Sequence, residues 1–278
     1  MADRKVTLGI DIGGTNTVFG LVDQEGTRYY HNSLPTPTGD EPEKIFNKIY
    51  KIISDYIEES DFELIGIGIG APNANYYSGK IENPVNLEWG YVNAVDYFQN
   101  RFGKNAFITN DANAAAIGEM HFGVATEMQD FIEITLGTGL GSGIVVNGQV
   151  VYGQDGFAGE LGHVEVVENG RECGCGKKGC LETYASASGI VRTVLELLAN
   201  YRAKSPLRKI QPEDLSSKTV YALAMDGDTI ANKAFEVTGY RLGKAFANFV
   251  TAFSPEAFIL YGGLANAGDI LIEPTQEA

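Results

Sequence analysis

The feature that most limits the possible folds is a pattern that occurs twice. Leu8-Gly9-Ile10-Asp11-Ile12-Gly13-Gly14-Thr15 is matched by Ile132-Glu133-Ile134-Thr135-Leu136-Gly137-Thr138-Gly139. Each is an apolar run stopped by a Gly/Thr turn. Each leads into a second apolar run, at 18–22 and at 144–146. Runs of this length bounded by turn residues mark strands, and the short connection marks antiparallel pairing. A third run follows in both copies, at 28–31 and at 149–152. In the second copy it comes after Asn147-Gly148, and Asn-Gly between apolar runs is a strong hairpin signal. Later, 258–263 echoes 64–70. The chain therefore reads as an ancient duplication, two lobes of similar plan facing one another. Its 278 residues suffice for two such cores, and 44% apolar content can fill them.

Helical stretches separate these runs. One is expected over 40–60, with Asp40 as N-cap and Glu43 three residues on. Ile45, Ile49, Ile52, Ile53 and Tyr56 share its apolar face. Others are expected at 94–102, 112–121, 186–201 and 228–253, while 203–218 reads as a polar connection. A strand at 106–109 ends on Asn110-Asp111. Strands alternating with helices make this an α/β chain.

Formal net charge is −15, with no cluster of Lys and Arg. Such a chain is repelled by nucleic acid and by anionic membrane surfaces, so neither is an expected partner. The first residues lead straight into a strand, without an apolar stretch fit for a signal peptide or a membrane span. The expectation is a cytoplasmic protein.

The two Gly/Thr turns have the form of phosphate loops. A glycine-rich turn between strands leaves N–H groups uncovered, and phosphate oxygens can approach them closely. Thr15 and Thr138 add hydroxyl donors, and Asp11 at the strand end could hold Mg²⁺ through water. Either loop alone could be an ordinary hairpin turn; two in matching positions of a duplicated chain weigh against that. Other nucleotide motifs are missing: no G-x-x-x-x-G-K-[ST], no H-R-D loop, and no dinucleotide fingerprint opening a helix.

All three cysteines fall in one segment with a histidine: His163, Cys173, Cys175 and Cys180. A Cys₃His set is a tetrahedral zinc site, and the interleaved glycines let a short chain wrap the ion. The alternative is a loop of inert thiols. Four protein ligands leave no open position, which makes the zinc structural. One imidazole nitrogen of His163 on zinc would leave the other free to donate to a ligand.

Asp111 stands where a strand ends and a helix starts. An N-cap is the bland reading of such a residue, and a general base the sharp one. Glu160 lies three residues before the zinc histidine, and Glu182 two after the last cysteine. Carboxylates and amides gathered by one ordered loop suit a polyol, although such glutamates are more often solvated surface.

These pieces resemble the ROK family of sugar kinases and sugar-responsive repressors. The matching residues are 11–16, Ala71-Pro72, Asn110-Asp111, 136–139, 160–163, the Cys-x-Cys-Gly-x-x-Gly-Cys-Leu-Glu run at 173–182, and Gly262-Gly263. They cover nearly the whole chain in the family's order. The resemblance implies a two-lobed actin/hexokinase-like (ribonuclease H-like) ATPase fold with an interlobe cleft. The lobes would be 1–111 and 112–278. It implies ATP with Mg²⁺ on Asp11, Gly13, Gly14, Thr15, Asn16, Thr138 and Gly139, with adenosine near Gly262 and Gly263. It implies a hexose held by Asn86, Asn110, Asp111, Glu160, His163 and Glu182, with Asp111 as catalytic base. Glucose is the first expectation; N-acetylglucosamine, N-acetylmannosamine, mannose and fructose could share the carboxylate set. Family members commonly form homodimers.

One departure and three rivals go with this reading. Family chains usually run some tens of residues beyond the Gly-Gly turn, so a truncated C-terminus is expected. A repressor of the family's other branch carries a helix-turn-helix ahead of the first loop, for which the residues before Asp11 leave no room. A non-catalytic sugar sensor would keep the pocket without needing the base. A hydrolase has no G-x-S-x-G motif to support it.

Overall fold

The computed structural model describes residues 4–39, 41–84 and 87–278. The chain divides into two compact units. One is Met1–Glu127 with Val150–Ala158; the other is Met128–Gln149 with Gly159–Ala278.

In the first unit, β1 (Arg4–Ile12), β2 (Asn16–Val22) and β3 (Arg28–Pro35) form a meander. Then come α1 (Pro42–Glu58) and β4 (Phe62–Gly70). Three short strands follow, β5 (Ala74–Asn75), β6 (Lys80–Glu82) and β7 (Tyr91–Val92), which pair in a small sheet of their own. The unit continues with α2 (Ala94–Phe102), β8 (Ala106–Thr109) and α3 (Asp111–Phe122). The main sheet has the order β3-β2-β1-β4-β8. β1 is antiparallel to β2 but parallel to β4, which is parallel to β8.

Strand alternation gives this sheet two different faces. Val6, Leu8, Ile10 and Ile12 of β1 point to one side and are buried against Ile45, Phe46, Ile49 and Ile53 of α1. Pro42 opens α1 at a position where its missing N–H costs nothing. The expected Asp40 cap lies outside the described residues. Phe46 is fully buried and meets Trp89, Tyr97 and Phe98 at ring-centroid distances of 5.9, 5.2 and 5.0 Å. The opposite face carries little bulk. A bulge opposite Val6 and Thr7 places Ile65 out of register, after which Gly66, Gly68 and Gly70 take the outward positions of β4. An alanine-rich helix can therefore come close: the Ala114 side chain would lie 3.1 Å from a Cβ on Gly70. This packing joins α3 to the first unit, whose main segment runs to Glu127.

The second unit repeats the plan. β9 (Phe131–Leu136), β10 (Leu140–Val146) and β11 (Gln149–Val150) come first. Helices α4 (Ala187–Asn200), α5 (Ser217–Met225) and α6 (Thr229–Phe253) precede β12 (Ala257–Tyr261), and α7 (Asp269–Gln276) ends the chain. The sheet order is β11-β10-β9-β12, with β9 antiparallel to β10 and parallel to β12. Strand for strand this matches β3-β2-β1-β4. The expected strand at 149–152 is only two residues long, because the chain then leaves the sheet and Tyr152 stacks on Tyr76. The 203–218 connection holds two short 3₁₀ turns, Pro206–Lys209 and Pro212–Asp214, before α5 begins. Among the described residues, no helix is long and apolar enough to cross a membrane.

Truncating Phe46 would leave a void beneath three aromatic rings. We expect Phe46→Ala to lower unfolding free energy by about 3–5 kcal/mol in equilibrium denaturation. A loss under about 1 kcal/mol would mean that α1 is not anchored in this core.

Candidate functional site

The ends of three parallel strands set up the first group of site residues. The register pairs Asp11 of β1 with Gly70 of β4, and Gly70 with Thr109 of β8. Carboxyl ends of parallel strands are where ligands bind in α/β sheets. From this row the chain turns into Gly13-Gly14-Thr15 on one side and Asn110-Asp111 on the other. With glycine between them, the neighbours crowd inward: Asp11 Oδ1 and the Cα of Asp111 each lie 3.8 Å from where a Gly70 Cβ would stand.

Asn110, not Asp111, caps α3, and its side chain accepts the Ala112 N–H at 2.8 Å. Asp111 Oδ1 accepts the same N–H at 2.9 Å. The capping role that competed for Asp111 is thus filled by its neighbour. Desolvation raises the Asp111 pKa above the ordinary aspartate value, against the pull of the Ala112 and Asp111 N–H groups. Asp11 is raised too, by desolvation first and then by the like charge of Asp111. Both carboxylates touch solvent, yet enough protein surrounds them to disfavour a charge. A pair of acids held this way is a group that would gain from a cation or a proton.

In the adjoining turn, Gly13 donates to Asn16 O at 3.0 Å, and Thr15 O accepts from Thr36. Among the described residues, no protein acceptor meets the N–H groups of Gly14 and Thr15. Thr15 and Asn16 are exposed. This is the hairpin that the sequence indicates, with the free donors that an anion requires.

In the second unit one glutamate ties the other loop to the cysteine cluster. Glu182 Oε2 accepts the Leu140 N–H at 3.2 Å. Its Oε1 lies 3.3 Å from Cys173 Sγ and 3.8 Å from His163 Nδ1. A Cβ at position 139 would sit 2.5 Å from Glu182 Oε2, so a larger residue there would displace that carboxylate. The loop has two further ties to residues just past the cluster. Ala187 N–H donates to Gly137 O at 2.8 Å, and Ser188 Oγ donates to Thr138 O at 2.8 Å. Gly262 and Gly263 follow β12 beside the same loop. Gly262 takes a left-handed φ of 99° against Leu136, and Leu264 N–H donates to Leu136 O at 3.1 Å.

The four metal-type ligands come together. Their donor atoms all lie within 4.8 Å of one another. Cys175 and Cys180 sulfurs are 3.6 Å apart, and Cys173 Sγ is 3.5 Å from His163 Nδ1. A tetrahedral cation with sulfurs at about 2.3 Å would space them about 3.8 Å apart, so the set fits zinc. Burial pushes the Cys173 thiol up to about 12 and raises that of Cys180 as well. A thiolate at either position would need a cation beside it. Arg171 braces the cluster from outside. It makes paired 2.7 Å bonds to Glu196 and stacks 4.3 Å over the ring of Tyr184.

Glu160 caps and His163 ends a 3₁₀ turn, Leu161–His163, that precedes the cysteine segment. Ser142 holds this turn in place: its hydroxyl donates to Gly159 O and accepts the Leu161 N–H. Asn86 lies outside the described residues. Sequence reasoning missed Gly70, Ser142 and Arg171; glycines ending β4 and flanking Ser142 were the available signals for the first two.

Comparison with known proteins agrees over the whole chain. A family model described as the ROK family matches residues 7–278. The glucokinase of Halalkalibacterium halodurans is 35% identical over 283 residues, covering 100% of this chain and 86% of that protein. Among solved structures, a ROK family glucokinase from Streptomyces griseus in complex with glucose and AMPPNP is similar with a TM-score of 0.78 and 31% identity. It aligns over 98% of this chain and 88% of its own. A ROK family transcriptional regulator, a homologue of the E. coli MLC protein, reaches a TM-score of 0.88 at 26% identity. That match covers 99% of this chain but 70% of the regulator. With the doubled strand order, two Gly/Thr loops and a Cys₃His cluster already present, these matches establish that the chain belongs to the ROK family.

Proposed function

We propose that this protein transfers the γ-phosphate of ATP to a hydroxyl of a hexose, glucose in the first place, with Asp111 as general base. The observation that carries the reading is the position of Asp111. It follows the carboxyl end of β8, close to Asp11 and the first Gly/Thr loop, with the capping role left to Asn110 and its pKa raised. The glucokinase relatives supply the substrate class.

The roles follow from chemistry. Asp111 accepts the proton of the attacking hydroxyl, and Asp11 would hold a Mg²⁺ that neutralises charge on the phosphates. The N–H groups of Gly13, Gly14 and Thr15, with Asn16, and those of Thr138 and Gly139, meet phosphate oxygens. Gly262 and Gly263 leave room for adenosine. Asn86, Asn110, Glu160, His163 and Glu182 hold the sugar hydroxyls. His163, Cys173, Cys175 and Cys180 would hold a zinc, whose contribution would be order in the imidazole of His163 and in the backbone that carries Glu182. The functional lobes would be 1–111 and 112–278, working as a cytoplasmic homodimer. The regulator relative favours one alternative, a sugar sensor that binds without turnover.

Asp111→Asn is expected to lower kcat by roughly 10²–10⁴-fold while changing sugar affinity only a few-fold. Retention of more than about a tenth of wild-type turnover would remove Asp111 from the base role. The base works ionised, so the wild-type rate should fall as pH drops through a pKa above the ordinary aspartate range. A separate check concerns the metal. The purified chain should hold about one zinc, and chelation should lower Tm and speed amide exchange across 163–182. Binding should weaken in acid, because thiols must lose their protons to bind. Cys180→Ser should reproduce the chelated state at any pH; unchanged zinc content in that variant would contradict the assignment.

A further inference from the structure

Three tyrosines gather in the first unit, outside the residues assigned so far. Tyr76 lies flat on Tyr152, with ring centroids 4.2 Å apart and planes 12° from parallel. Tyr77 meets both rings edge-on, at 5.5 and 6.3 Å. Yet Tyr76 is 41% exposed and Tyr77 60%. Rings that stack on one another while open to water are not serving as core.

The cluster is rigid because its two backbone segments are tied together. Asn75 Oδ1 accepts the N–H groups of Tyr77 and Ser78, and Asn75 Nδ2 donates to Asp155 O at 2.9 Å. The Tyr77 hydroxyl donates to Gly153 O at 2.9 Å. Beside Tyr77 is an open hollow of about 360 Å³, walled by Asn75, Tyr77, Ser78, Gln154 and Asp155.

Its location is informative. Tyr152 reaches from the cluster toward Thr109. Burial raises the Tyr152 phenol, and the nearby Thr109 hydroxyl works in the opposite sense. The two hydroxyls stop short of full hydrogen-bond geometry, and Thr109 Oγ1 stays buried without a partner. Thr109 is two residues before Asp111, roughly 7 Å of extended chain. That is about the span of one sugar ring.

We propose that Tyr76, Tyr77 and Tyr152 form a subsite for a second, uncharged ring joined to the phosphorylated hexose. Disaccharides or glycosides are then bound more tightly than the free hexose. This rests on the hexose-kinase reading above. A pyranose offers a face of C–H groups to an aromatic ring and hydroxyls at its rim. Tyrosine provides the ring, and Gln154 and Asp155 provide partners for the rim. No Lys or Arg lines the cavity, and Asp155 repels anions, so a phosphorylated or acidic second ring is not matched. The reaction is unchanged: the hexose hydroxyl loses its proton to Asp111 and gains the phosphoryl group, and ADP leaves.

The test measures ADP release from Mg-ATP with glucose, both methyl glucosides, cellobiose and maltose. The wild type is compared with Tyr76→Ala and Tyr76→Phe. At least one two-ring sugar should show a KM on the order of tenfold below glucose. Tyr76→Ala should raise that KM about tenfold, leaving kcat and KM for glucose within about twofold, and Tyr76→Phe should keep the preference. Such a change equals about 1.4 kcal/mol, the upper range of one aromatic contact. Two-ring sugars no better than methyl glucosides would overturn the proposal, as would equal losses for glucose and the disaccharide. A fall in oligomer mass with Tyr76→Ala would instead make the tyrosines a contact between copies of this chain, and the subsite would be rejected. If the wild type turns over no sugar at all, the kinase reading has failed, and calorimetric binding decides the subsite alone. Tighter binding of a two-ring sugar, lost in Tyr76→Ala, upholds it, and equal binding refutes it.

Discussion

The first half of the site depends on one steric fact: β4 ends in a residue without a side chain. Gly70 lies in register between Asp11 and Thr109. A Cβ there would stand 3.1 Å from the Ala114 side chain, so α3 would have to give by a few tenths of an ångström. Helix α3 starts at Asp111, so moving it would carry the proposed base away from Asp11. The raised pKa values of the two aspartates have the same origin, since close approach and desolvation come together. Alternating glycines in β4 are thus a packing device, and the proposed role of Asp111 is built on it.

The second unit solves a similar problem with a carboxylate. Glu182 reaches the Leu140 N–H with one oxygen and the Cys173–His163 pair with the other. The second Gly/Thr loop is therefore shaped by the segment that the four metal-type ligands would order. Apart from Glu182, the loop's ties are a few backbone and hydroxyl bonds, each worth on the order of 1 kcal/mol. Order in the cluster therefore supports order in the loop, and a zinc held there would act on the proposed phosphate loop without touching phosphate.

Much of this could be read from sequence because the informative residues are local. The doubled strand–Gly/Thr–hairpin pattern reappears as the shared order β3-β2-β1-β4 and β11-β10-β9-β12. The cysteine cluster was legible because every cysteine of the chain lies in it. What escaped depends on partners distant in sequence. The role of Gly70 follows from strand register, which no single strand reveals. Tyr152 carries an apolar strand signal but leaves the sheet to stack on Tyr76, seventy-odd positions earlier. Helix α7 contains Pro274, ordinarily a helix breaker, and packs on Gly239 of α6 all the same. Helix α5 was hidden behind the polar run that precedes it, although Ser216 caps it in the ordinary way.

The central claim is that these parts make a catalyst that acts on sugar. The most direct measurement is ADP release from Mg-ATP by the zinc-loaded chain, with and without glucose, alongside the glucose phosphate formed. The account predicts ADP and sugar phosphate in equal amounts, and almost no ADP without sugar. Glucose that binds but leaves ADP release unchanged would contradict it and assign the protein to the sensor side of its family.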